Sequence, residues 1–185
     1  MNINPSIGAL EFQSIAQGIN LANEISKIAP VEVIAFQTIC PGRFFFTISG
    51  DAEAVRTAVQ YGMNVGQKQV LDHFMIPNIS LPIIQGLRYH YDTVESIDSI
   101  GVLETKTLCS GLLSIDAALK AGSVQLLKLK LAQTIRGKFL AVVSGSTSSV
   151  DFAMQQAATA AADELINAAT IPSFQKELLP WLKKL

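Results

Sequence analysis

The hydrophobic positions of this chain change period several times in its first half, and each change marks an element. Ile7 to Phe12 is a short apolar run that predicts a strand. Ser14 follows as a helix N-cap candidate, with Ile15, Ile19, Ala22, Ile25 and Ala29 at helical spacing until Pro30 stops the pattern. Val31 to Ile39 is apolar and β-branched, Pro41-Gly42 is a turn signal, and Arg43 to Ser49 reads as the second arm of a hairpin. Asp51 then caps a helix whose small-residue face is Ala54, Val55, Ala58, Val59 and Gly62. A last strand, Val70 to Ile76, ends at Pro77, and a short helix is expected over Leu81 to Leu87.

The second half repeats this order. Ser6-Ile7-Gly8-Ala9-Leu10-Glu11 returns as Ser99-Ile100-Gly101-Val102-Leu103-Glu104, an offset of 93 that also carries Gly18 to Gly111, Lys27 to Lys120 and Val31 to Val124. Beyond residue 42 the offset is 95: Gly42-Arg43-Phe44 becomes Gly137-Lys138-Phe139, Ser49-Gly50 becomes Ser144-Gly145, and Ile76-Pro77 becomes Ile171-Pro172. Two extra residues therefore enter the second copy between the positions of Val31 and Gly42, which predicts a loop around Cys40, since loops absorb length changes most readily. The second copy reads as strand Ile100 to Thr105, helix Thr107 to Ala121, strand Val124 to Leu131, strand Lys138 to Ser144, helix Ser149 to Ala162 and strand Leu165 to Ile171. Strand, helix, strand, strand, helix, strand is the order of an α+β unit, with helices against one side of a four-stranded, mostly antiparallel sheet. The polar stretch Tyr89 to Ile97 separates the copies, and the boundary is placed at residue 94, giving domains 1–94 and 95–185.

Composition narrows the function. Apolar residues make up 49% of the chain and charged residues 16%, below the roughly 25% usual for soluble domains, which hints at an oligomer that buries surface. With 14 Lys+Arg against 15 Asp+Glu, there is no electrostatic footprint for nucleic acid or an anionic membrane. The longest apolar stretch, Phe74 to Leu87, is interrupted by Pro77 and Pro82 and falls short of the roughly 18 residues of a membrane helix. The opening Met1-Asn2-Ile3-Asn4-Pro5 has no basic region of a secretory signal, so a cytoplasmic location is expected, with Cys40 and Cys109 kept reduced unless a metal holds them.

The paired Ile-Gly-x-Leu-Glu strands at Ile7 and Ile100, the Gly-Arg/Lys-Phe segments at Gly42 and Gly137, the Ser-Gly strand ends at Ser49 and Ser144 and the closing Ile-Pro resemble the bacterial microcompartment shell domain, twice over nearly the whole chain. The resemblance is to the tandem-domain type, and it implies a homotrimer that imitates a hexagonal tile, assembling with other shell proteins in the shell of a cytoplasmic compartment. Both copies open on the same motif, with no sign of circular permutation. Lys106 after Glu-Thr fits the family's tile-edge lysine, whereas the first copy has Gln13. The family's frequent Arg-Pro-His after Ile-Pro is replaced by Asn78-Ile79-Ser80 and Ser173-Phe174-Gln175.

The segment Thr38-Ile39-Cys40-Pro41-Gly42-Arg43 resembles the subgroup of propanediol-utilisation shells whose corresponding cysteine binds an iron–sulfur cluster in the central pore. A cysteine beside Pro-Gly is an unusual core residue, and one thiolate cannot hold a cluster that wants about four. Three Cys40 side chains meeting on a threefold axis can hold three irons of a 4Fe-4S cube, leaving the fourth to water or another small ligand. The resemblance thus implies Cys40 as the metal ligand, with Ile39, Pro41 and Gly42, and from the second copy Gln133, Thr134, Ile135, Arg136 and Gly137, lining the pore. The implied roles are electron transfer across the shell, with a possible redox enzyme inside as partner, or cluster supply. A pore without a cluster that conducts metabolites or cofactors remains the alternative. Three Arg136 side chains near the axis would favour anions and raise the cluster's potential; a merely solvated arginine is the plainer reading.

Catalysis has little support. His73 and His90 lack metal-ligand spacing with Cys, Asp or Glu, and no phosphate loop or nucleophile elbow is present. Cys109, beside Leu108 and Leu112, reads as a packed small side chain. The recurring Glu11 and Glu104 are expected to bond backbone amides of a neighbouring helix.

Overall fold

The structure, a computed structural model, describes residues 5–92, 97–131, 135–182 and 184. The boundary at residue 94 therefore lies outside the described residues, and the chain divides into two compact units between Ile84 and Gln85.

In the first unit β1 (Ser6–Phe12), α1 (Ile15–Ile28), β2 (Glu32–Ile39), β3 (Arg43–Gly50), α2 (Ala52–Gly66) and β4 (Val70–Ile76) follow in order, and α3 (Leu81–Leu87) spans the division. The second unit repeats the series as β5 (Ser99–Thr105), α4 (Leu108–Ala121), β6 (Gln125–Leu131), β7 (Phe139–Gly145), α5 (Thr147–Ala161) and β8 (Leu165–Ile171), then ends with α6 (Leu179–Leu182). The sheets have the matching orders β2-β3-β1-β4 and β6-β7-β5-β8, and every pairing is antiparallel. The repeat extends to the irregularities. Register shifts fall at Glu11/Phe12 and Glu104/Thr105, and again at Val33/Ala35 and Leu126/Lys128.

β1 is buried along its whole length because it pairs on both edges and is covered on both faces. Gly8, Leu10 and Phe12 point toward the helices: a Cβ on Gly8 would meet Val55 and Val59 of α2, and Leu10 and Phe12 join the core with Leu21, Ala22, Ile25 and Phe44. Alternation puts Ile7, Ala9 and Glu11 on the other face. In the second unit that other face carries Ile100, Leu127 and Val142, over which Phe174, Leu179 and Leu182 of the C-terminal segment pack.

Ser14 and Thr107 cap α1 and α4, accepting from Gln17 N and Ser110 N. Asp51 occupies the N-cap of α2 without a side-chain cap bond, whereas Ser146 accepts from Ser149 N at the start of α5. That cap starts α5 at Thr147, two residues before the expected Ser149. The buried stripe of α1 also differs from expectation: it is Gly18, Leu21, Ala22 and Ile25, and Ile19 is 42% exposed. The helix is turned so that Gly18, not a larger apolar residue, faces the sheet. The reason is contact with Phe44, since a Cβ on Gly18 would lie 2.6 Å from the Phe44 ring. Gly111 meets Phe139 in the same way, with ring atoms 2.1 and 2.2 Å from where a Cβ would stand.

Gly111→Ala and Gly18→Ala are accordingly expected to destabilise the fold by about 1–3 kcal/mol each through overpacking, despite alanine's better helix propensity. Denaturant unfolding of the two variants checks this, and an unchanged midpoint for both would refute the close seat.

Candidate functional site

The two hairpin turns that carry the candidate residues are built differently. In the first unit β2 and β3 pair up to Ile39 and Arg43, so the turn is only Cys40, Pro41 and Gly42. Gly42 has φ 77°, the left-handed value that a three-residue hairpin commonly demands at its end and that glycine adopts without steric cost. The Cys40–Pro41 peptide is cis. Cys40, Pro41 and Gly42 are exposed, and Ile39 is buried beneath them. The thiol of Cys40 thus stands at a hairpin tip, and among the described residues no group of three or more His, Cys, Asp or Glu side chains gathers to hold a metal.

In the second unit the connection from Leu131 to Phe139 is longer, which places the two-residue insertion in the turn, as expected. Gln133 and Thr134 lie outside the described residues. Lys138 N donates to Ile135 O at 3.2 Å, and Arg136 and Gly137 have φ 55° and 81°, the signs of a type I′ turn. Arginine is an unfavourable choice at the first of these positions, where Asn, Asp or Gly is preferred. Arg136 is exposed and Ile135 half-buried, while Gly137 is buried.

An acid–base pair sits at the foot of each turn. Glu11 is fully buried and accepts from Arg43 Nη1 at 2.8 Å. Glu104 and Lys138 repeat the pair at 3.5 Å, with side chains 37% and 44% exposed. These contacts correct the expectation that the two glutamates bond helix amides: each occupies the sheet face away from the helices and reaches diagonally to the neighbouring strand. The residue directly across from Glu11 is Phe45, fully buried; across from Glu104 it is Leu140. The smaller leucine, and lysine in place of the forked arginine, leave the second pair open.

Two comparisons decide the family. The BMC domain family matches residues 6–79 and again 99–174. A bacterial microcompartment shell protein of Citrobacter freundii, PduT, is 33% identical over 175 residues, covering 92% of this chain and 93% of its own. The chain belongs to the BMC domain family. It is a structural shell protein of a bacterial microcompartment.

Solved structures agree. A microcompartment protein of Desulfitobacterium hafniense superposes with a TM-score of 0.86 at 29% identity, over 95% of this chain and 98% of that one. A fused permuted hexameric shell protein from the RMM microcompartment matches in fold alone, with a TM-score of 0.63 and 18% identity over 84% of this chain and 82% of its own.

Within this shell protein the remaining candidates separate clearly. Lys106, the tile-edge candidate, follows β5 and donates from Nζ to Asp163 O at 2.5 Å, while its backbone N donates to Glu164 O. Gln13 makes the equivalent backbone bond to Gln69 O. Cys109 is fully buried in α4, as its apolar neighbours suggested. Sequence reasoning missed the ion pairs, although both acids and both bases recur at matched positions of the repeat. No helix of the described residues is long and apolar enough to cross a membrane.

Because Glu11 is buried and Glu104 is not, the two pairs should differ in worth. Arg43→Ala is expected to cost about 3 kcal/mol, and Lys138→Ala less than about 1 kcal/mol. Chemical unfolding of both variants measures the difference, and equal losses would contradict the unequal burial.

Proposed function

We propose that three copies of this shell protein form a pseudohexagonal tile whose central pore holds an iron–sulfur cluster on Cys40, for moving electrons across the shell or supplying a cluster within it. The observation that carries this reading is a free thiol presented at the tip of a three-residue turn, outside the core, where among the described residues no group of three or more His, Cys, Asp or Glu side chains of its own chain gathers. A thiol so placed suits a site completed by symmetry, since a cluster needs several thiolates and each chain offers one exposed cysteine. The 33% identity to a microcompartment shell protein supports the tile.

The residues present fit a cluster of the 4Fe-4S kind. Three Cys40 thiolates would hold it, Pro41 and Gly42 would fix the turn, and the bound group would supply one-electron transfer. Ile39 anchors the turn from below, as its burial allows. Arg136 is the second unit's contribution to the pore in this reading. An arginine kept at a left-handed position that favours Asn or Gly is better explained by its side chain than by turn geometry.

Iron and acid-labile sulfide, measured per chain on protein purified without oxygen, test the proposal. About four of each per three chains are expected, with both lost in Cys40→Ser while the trimer persists in sedimentation analysis. Absence of both after anaerobic reconstitution would leave an open pore for metabolites or cofactors, and a monomer in sedimentation would remove the pore altogether.

A further inference from the structure

The open acid–base pair of the second unit borders a cavity of about 350 Å³ lined by Glu104, Ile135, Arg136, Lys138, Phe139 and Leu140. Its size falls in the range of small-molecule sites. Two cations and one carboxylate line it, a net charge of +1, and Ile135 and Leu140 supply an apolar wall, the Phe139 ring being turned to the other face against Gly111. The Lys138–Glu104 distance of 3.5 Å exceeds the 2.7–2.9 Å of a strong charge-assisted hydrogen bond, so the ammonium keeps donors for a guest. At the matching place in the first unit the glutamate is fully buried against Arg43. The two places differ in sequence as well: Phe45 is matched by Leu140, Arg43 by Lys138, and the second turn is two residues longer.

We propose that this cavity binds a small aliphatic carboxylate, its anionic end between Arg136 and Lys138 and its hydrocarbon end against Ile135 and Leu140. A single negative charge matches the net +1. A phosphate dianion would bring more charge to the edge of Glu104 than the two bases offset. The site lies within one unit and needs neither Cys40 nor a cluster, although it shares Arg136 with the pore reading.

The test titrates the full-length assembled protein with butyrate, following the Ile135 methyl resonance, with 1-butanol as the uncharged control. A saturable shift with a Kd of about 1–10 mM is expected, in keeping with a ligand of so few atoms. Arg136→Ala should weaken binding at least about fivefold, and Glu104→Gln, which removes the like charge and frees Lys138, should tighten it about threefold. The proposal is overturned by any of four results: no saturable response up to about 100 mM, an equal response to 1-butanol, unchanged affinity in Arg136→Ala, or tighter binding of inorganic phosphate than of butyrate.

Discussion

The seat of a phenylalanine ring against a helix glycine governs both halves of this shell protein. Phe44 lies against Gly18 and Phe139 against Gly111, each at a distance that excludes even one added methyl group. Each ring belongs to the strand that leaves a candidate pore turn, so the seat fixes which face of that strand turns inward. Alternation then does the rest. Arg43 and Phe45 go to the face away from the helices, where Arg43 meets Glu11; Lys138 and Leu140 go to the same face of the second sheet, where Lys138 meets Glu104. A slip of one residue at either seat would reverse every one of these placements.

The same constraint explains what could be read in the sequence and what could not. The order of elements and the limits of β4, α3 and β8 follow from period, proline and capping signals, because those are local properties. The repeat located the inserted residues within one segment, and the structure puts them in the β6–β7 turn. What failed was the orientation of α1. Counting apolar residues favoured Ile19 as a core position, yet the packed surface is centred on Gly18, and close approach to an aromatic ring is a tertiary fact without a local signature. The C-terminal segment was missed for a similar reason: Phe174, Leu179 and Leu182 have no strong periodicity over so short a run and are held by the sheet beneath them.

At the site, the sequence showed that Cys40 stands at a turn, because Pro-Gly and the length change agree there. It did not show that Glu11 and Glu104 pair with the first base after each turn. Both partners recur in the repeat, but an acid on one strand and a base 32 residues later become a pair only when the register places them diagonally. Burial was beyond reach altogether. It is set by tertiary packing: Phe45 stands across from the buried acid and Leu140 across from the exposed one, a difference that hydropathy hardly registers.

Duplication within one chain gives these small differences room to act. An assembly of identical single units must repeat one turn around its axis, so any change in that turn alters every copy. Two linked copies relax this rule. The first turn is short, closed by an ion pair whose acid is fully buried, and presents a thiol; the second is longer, closed by a half-exposed pair, and presents a guanidinium beside a cavity. The shared β-sheet register and the two glycine seats keep the units equivalent in backbone. The side chains at the foot of each turn are then free to diverge, because Arg43 and Lys138 lie on the face that the seats leave outside the helix packing.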